Sequence, residues 1–157
     1  MVYSFLEQAE GEKFRAEGAT IEEMFVSAAD ALNYVIRGDI EILEQEERGF
    51  EVEGDVKDVP DCVVEDSDIL SIEDKCSKYV SYLYSFLGDI LVLLDNEDFL
   101  VAKVKSVEIG GGKLKCVVVG DKGENYKFTN DVKEVTYSDM YVKETEKGFE
   151  CQVVLDV

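Results

Sequence analysis

The chain has 157 residues, a formal net charge of −20, and neither histidine nor tryptophan. Histidine is the side chain that most often acts as a general base near neutral pH, so its absence excludes Ser-His-Asp, Cys-His and histidine-metal sites. The negative charge repels phosphate, so we expect neither direct nucleic-acid binding nor docking on an anionic membrane. A hydrophobic content of 46% is sufficient for a folded core.

The length predicts a single domain over residues 1–157, since chains of this size usually form one. The first residues show no basic flank followed by a long apolar run, so we predict a cytoplasmic protein. The four cysteines form no CxxC pair and are expected to be free thiols that pack as small apolar groups.

The first third of the chain predicts two short strands within residues 2–17, interrupted near Gly11. Thr20 and Glu23 then match a capping box, in which each side chain accepts the backbone N–H of the other residue. Apolar residues follow at steps of three and four, which predicts a helix over about residues 21–36.

The middle of the chain is acidic, with 14 acidic and 3 basic residues between Glu41 and Lys75. A strand is predicted over about residues 47–53, followed by a loop or insertion over residues 54–70. The carboxylates of this loop lack the spacing of an EF-hand, so we interpret them as a solvated surface. The alternatives are that these carboxylates are weakly and non-specifically screened by Ca²⁺ or Mg²⁺, or that they form a docking surface for a basic partner.

A second helix is predicted over about residues 72–94, with a capping signature that begins at Ser71. Gly88 inside this helix costs about 1 kcal/mol relative to alanine, which suggests close packing at that position.

The last third predicts two hairpins, whose strands run over residues 100–109 with 113–119 and 132–144 with 149–157. In the strand predicted over residues 132–144, the apolar residues change from odd-numbered to even-numbered positions near Ser138 and Asp139. We therefore expect a bulge there. The order of elements predicts an α+β two-layer sandwich, with helices on one face of a mainly antiparallel sheet.

Five segments, in order along the chain, resemble motifs of the archease family. Residues 133–140 read KEVTYSDM and resemble Lys-Ala-Val-Thr-Tyr-His, while the ending QVVLDV resembles Val-Val-Leu-Asp-Ile. The other three are the strand region at residues 5–16, the first helix at residues 19–25 and the second helix at residues 82–95. The similarity is collinear over nearly the whole chain, and residues 54–74 resemble an insertion.

The resemblance implies a protein cofactor that promotes guanylylation and multiple turnover of an RtcB-type tRNA-splicing RNA ligase and is not itself an enzyme. It also implies binding of a divalent cation (Ca²⁺, Mg²⁺ or Mn²⁺) between two aspartates. Asp156 matches the second of these, and Lys133 and Tyr137 match the motif lysine and tyrosine. Asp139, in the expected bulge, is a further candidate.

The chain departs from the family at the first aspartate, which falls on Gly11, and at two histidines, which fall on Gln8 and Ser138. Glu10 and Glu12 are therefore the candidate partners of Asp156 in a metal site, although strand alternation directs both away from the face of residue 11. One alternative is a chaperone-like interaction module that keeps the fold with a degenerate site. Another is a carboxylate-only, metal-dependent hydrolase.

Overall fold

The structure is a computed structural model that describes residues 2–6, 11–53, 69–110, 112–128 and 132–157, apart from some side chains that include those of residues 69–78 and 137–139. Its elements in chain order are β1 (Val2–Leu6), β2 (Glu12–Gly18), α1 (Ile21–Arg37), β3 (Glu46–Glu53), α2 (Ile69–Glu97), β4 (Phe99–Gly110), β5 (Lys113–Lys122), a one-turn 3-10 helix (Gly123–Asn125), β6 (Glu134–Thr145) and β7 (Gly148–Asp156).

The strands form two antiparallel sheets. The first, called sheet A here, has the order β1-β2-β7-β6, and the second, sheet B, has the order β3-β5-β4. Each helix contacts strands of both sheets. The predicted α+β class, with helices packed on antiparallel strands, is confirmed. Sheet A joins the two ends of the chain, because β2 pairs with β7.

The start of α1 confirms the predicted cap with one difference. The Thr20 hydroxyl accepts the N–H of Glu23 at 3.1 Å. The Glu23 carboxylate accepts the N–H of Ala19 at 3.0 Å, one residue before the expected Thr20. The helix ends at Gly38, whose φ of 66° lies in the region that favours glycine.

Two expectations about α2 are wrong. The helix begins at Ile69, so Ser71 lies within it and does not cap it. A Cβ atom built at Gly88 would have no other atom within 4 Å, so close packing does not explain this glycine. The predicted loop over residues 54–70 lies outside the described residues, apart from its last two positions, which belong to α2.

The core lies where the helices meet the two sheets. The buried Phe86 of α2 contacts Phe25 of α1 at a ring distance of 5.5 Å and Phe50 of β3 at 6.0 Å. Cys116 and Cys151 are free and buried, as predicted, and burial raises the pKa of each thiol to about 12. Neither described helix is long and apolar enough to cross a membrane.

Candidate functional site

The predicted site residues Lys133 and Asp156 meet at one end of sheet A, where β6 begins and β7 ends. The backbone N–H of Lys133 donates a hydrogen bond of 2.7 Å to the carbonyl oxygen of Asp156. Both residues are exposed. Two residues that are 23 positions apart in the sequence are therefore held side by side, with their side chains accessible to a partner.

The structure separates Asp156 from Glu12, one of its predicted metal-binding partners. Glu12 pairs with Leu155 across the β2–β7 ladder, and it alternates in phase with the buried Phe14. The side chain of Glu12 thus extends from the face of sheet A that bears the helices. Asp156 follows the buried Leu155, so its side chain extends from the opposite face. Glu10, the other candidate, lies outside the described residues.

A carboxylate that the sequence analysis did not select lies next to Asp156. Glu134 pairs directly with Asp156 in the β6–β7 ladder, and both are exposed. Directly paired residues of antiparallel strands extend from the same face, with Cβ atoms about 4.5–5.5 Å apart. The sequence signal was the alternation of Glu134 with the apolar Val135, which indicates an exposed strand residue. Its partner in β7 depends on how many extra residues the bulge in β6 contains, and the sequence predicted one where the structure has three.

Gly11 immediately precedes β2, whose first residue, Glu12, pairs with Leu155. Extending this register by one step would align Gly11 with Asp156. The φ angle of Gly11 is 75°, a left-handed conformation that glycine adopts freely and that asparagine and aspartate tolerate better than most residues. An aspartate here, where the resembled family has one, would be strained, although less than most other residues.

The expected irregularity in β6 is present. Thr136 pairs with Val154 and Tyr141 with Gln152, so five residue steps of β6 span two steps of β7. Three additional residues therefore lie in this segment, where one was expected, and an odd number reverses the parity as the sequence indicated. The backbone of Tyr137 and Asp139 belongs to this segment, and their side chains lie outside the described part.

Beyond the bulge, the same face of sheet A carries a row of hydrogen-bonded polar side chains. Arg15 donates through Nε to Gln152 at 3.0 Å, and the Tyr141 hydroxyl donates to Glu150 at 2.7 Å. Lys143 lies 3.4 Å from the same Glu150 carboxylate. Burial, followed by the hydrogen bond to Glu150, raises the pKa of Tyr141. These contacts hold β2, β7 and β6 together beside the Asp156 end.

Few side chains of the described residues are placed to bind a divalent cation. Within the described residues there is no group of three or more His, Cys, Asp or Glu side chains placed to hold a metal ion. Asp156 and Glu134 nevertheless provide two carboxylates on one face, and oxygen ligands suit hard cations. Among the described residues, Glu134 is thus the carboxylate placed to share a cation with Asp156, whereas Glu12 extends from the other face.

An open groove of about 470 Å³ lies at the opposite end of β7, beside the start of α1. Its lining includes the carboxylates of Glu17 and Glu23 together with Phe149 and Lys147. The excess of carboxylates disfavours a phosphate-bearing ligand. The groove contains none of the site residues predicted from the sequence.

Comparison with known proteins identifies the family. The profile described as "Archease protein family (MTH1598/TM1083)" matches residues 56–157, which is more than half of the chain. A protein archease from Pyrococcus abyssi is 32% identical over 151 residues, which cover 91% of this chain and 89% of the relative. A protein archease from Methanosarcina mazei is 29% identical over 161 residues, which cover 99% and 95%.

Solved structures show the same fold. The solution structure of Methanobacterium thermoautotrophicum protein 1598 superposes with a TM-score of 0.68 at 20% identity and covers 99% of this chain and 98% of its own. A Thermotoga maritima protein described as "an archease, possible chaperone" gives a TM-score of 0.56 at 16% identity and covers 97% and 94%. With the profile match and the Pyrococcus relative, these findings establish that this chain belongs to the archease family.

Proposed function

We propose that this protein is an accessory factor of an RtcB-type tRNA-splicing RNA ligase, and that it promotes guanylylation and multiple turnover of the ligase without catalysing ligation itself. Membership of the archease family supports this proposal. The observation that carries it is the approach of Lys133 and Asp156, the two exposed residues that match the family motifs, through a backbone hydrogen bond of 2.7 Å.

The charge of the protein agrees with a basic partner. At a net charge of −20, association with a positively charged ligase surface would be accelerated by electrostatic steering, and contact with RNA would be opposed. The protein would thus act on the ligase rather than on its RNA substrate. Binding to the ligase is expected to weaken as salt is added, since salt screens charges on exposed surfaces.

A divalent cation is part of the proposal, with Asp156 and Glu134 as the residues that would hold it. A bound cation would offset the repulsion between the two carboxylates and place positive charge at this end of sheet A. With or without the cation, these residues would orient the end of β7 and the start of β6 against the ligase.

The test uses the purified ligase of the same organism with GTP and substoichiometric amounts of this protein. We expect faster formation of ligase-guanylate and more than one ligation per ligase molecule. Asp156→Ala and Lys133→Ala should each reduce the stimulation about tenfold or more, whereas Lys122→Ala, an exposed lysine of β5, should not. Equal stimulation by the wild type and both site variants would reject the assignment of the site.

A second candidate is a chaperone-like interaction module that keeps the fold but has lost activation. Gly11 favours it, because this position has no carboxylate to complement Asp156. The related Thermotoga protein is also described as a possible chaperone. Binding to the ligase without any gain in guanylylation, combined with reduced aggregation of the ligase on heating, would support this alternative.

A further inference from the structure

Three aromatic rings form an exposed cluster where β1 meets α1. The ring centroids of Tyr3 and Phe5 are 5.8 Å apart, those of Phe5 and Tyr34 are 5.7 Å apart, and those of Tyr3 and Tyr34 are 6.5 Å apart. Phe5 is 37% exposed and Tyr34 is 43% exposed. Tyr3 is half-buried against the core, so Phe5 and Tyr34 form most of the exposed surface of this cluster.

The cluster lies at an open edge of a sheet. In the described part of sheet A, β1 pairs with β2 alone, so its other edge presents backbone N–H and C=O groups that have no neighbouring strand. Tyr3 and Phe5 alternate with Ser4 along β1 and extend from the same face. An added strand would thus find backbone hydrogen bonds at the edge and aromatic contacts at every second residue.

Charged groups of both signs lie near the cluster. The carboxylates of Asp30 and Asp39 lie close enough to Tyr3 to raise its pKa, after the larger effect of burial. Arg37 opposes this rise in the pKa of Tyr3, and its guanidinium donates to the carbonyl oxygens of Ile40 at 2.7 Å and Ala102 at 3.1 Å. Aromatic faces attract arginine and lysine side chains through cation–π contacts, and the net charge of −20 adds a long-range attraction for a basic segment.

We propose that the open edge of β1, together with Tyr3, Phe5 and Tyr34, is a docking surface for an extended segment of a protein partner that carries arginine or lysine at alternate positions. Its backbone pairs with β1, and its cationic side chains lie over the aromatic rings. A second copy of this chain is a poor occupant, because each copy carries a net charge of −20.

The probe is a short fluorescent peptide of alternating arginine and valine, followed by fluorescence anisotropy with the whole protein. Tyr34→Ala is the main variant, since this exposed ring can be removed from α1 with little effect on the helix. We expect it to weaken binding about tenfold. Val92→Ala is the matched control, because Val92 is 49% exposed on α2, and it should leave binding unchanged. Phe5→Ser is a second variant with the same expectation as Tyr34→Ala.

Hydrogen exchange provides a separate readout of the edge. The peptide should slow amide exchange in Val2–Leu6, because an added strand accepts hydrogen bonds from these groups. The proposal is overturned if the wild type does not bind the peptide, if Tyr34→Ala binds it equally well, if a glutamate–valine peptide binds as tightly, or if exchange in β1 is unchanged. The probe contains no ligase, so failure here leaves the proposed function standing.

Discussion

Glu134 and Asp156 lie directly opposite each other in β6 and β7, and their side chains extend from the face of sheet A that is turned away from the core. Two like charges in this position repel each other unless a cation or a partner's cationic group offsets them. The pair therefore gives the end of sheet A a local excess of negative charge, next to the exposed Lys133.

Removal of either carboxylate of the pair should have opposite effects on stability and on cation binding. Without divalent cations, Glu134→Gln should increase the free energy of unfolding by about 0.2–1 kcal/mol, because it removes the repulsion. The same change, like Asp156→Asn, should weaken Ca²⁺ or Mn²⁺ binding about tenfold in isothermal titration calorimetry. Glu12→Gln serves as the control, since Glu12 extends from the other face. If Glu12→Gln lost affinity and the Glu134 and Asp156 variants did not, the assignment of the cation site to Glu134 and Asp156 would be wrong.

Gly11→Asp should strengthen cation binding by adding a carboxylate beside Asp156. The φ angle of 75° imposes similar strain on aspartate and asparagine, so Gly11→Asn reproduces the backbone effect without the charge. We expect calorimetry to show about tenfold tighter Ca²⁺ binding by the aspartate variant than by the asparagine variant. Equal affinities would mean that residue 11 does not face the Asp156 carboxylate.

Two glycine-to-alanine changes should affect stability in opposite directions. Gly88→Ala should increase the free energy of unfolding by about 0.5–1 kcal/mol, because alanine favours the helix and its Cβ meets nothing within 4 Å. Gly120→Ala should decrease it by about 1–3 kcal/mol, since its Cβ would clash with the backbone carbonyl oxygen of Leu100. Urea denaturation of both variants measures the two changes, and destabilisation by Gly88→Ala would show that an unrecognised contact requires this glycine.

The contribution of Asp121 to stability should disappear in acid. Its carboxylate accepts hydrogen bonds from the Tyr126 hydroxyl and the Lys122 N–H, both at 2.8 Å, and these bonds hold its pKa below the usual value. A group with a lowered pKa in the folded state stabilises the protein above its unfolded pKa, about 3.9, and this stabilisation is lost as the pH falls through the folded value.

Asp121→Asn should therefore destabilise the protein near neutral pH and have a smaller effect when the pH is about 2–3. Denaturation of the wild type and the variant at both pH values isolates this residue from the other carboxylates. Asp95→Asn, a change at an exposed position of α2, gives the background. A destabilisation of the same size at both pH values would show that shape, and not charge, is what Asp121 contributes.

The sequence predicted the local elements well because their signals lie within a few residues. The spacing of apolar residues and the Thr20–Glu23 cap indicated α1, and the structure places that helix at Ile21–Arg37. The alternation of the last third indicated two hairpins, and the change of parity near Ser138 indicated the bulge in β6. The five collinear motifs were sufficient to recognise the archease family, and the comparisons confirm that recognition.

Only the tertiary structure decided which side chains share a site. Glu12 is close to the family's metal position in sequence, yet alternation and the β2–β7 register place it on the other face from Asp156. Glu134 drew no attention in the sequence, yet the β6–β7 register places it beside Asp156. The aromatic cluster likewise joins Tyr3 and Phe5 to Tyr34, a residue of another element. The physical reason is that periodicity reports local backbone geometry, whereas register also depends on the size of bulges, as in β6, and on the pairing of strands that are distant in the chain, such as β2 and β7.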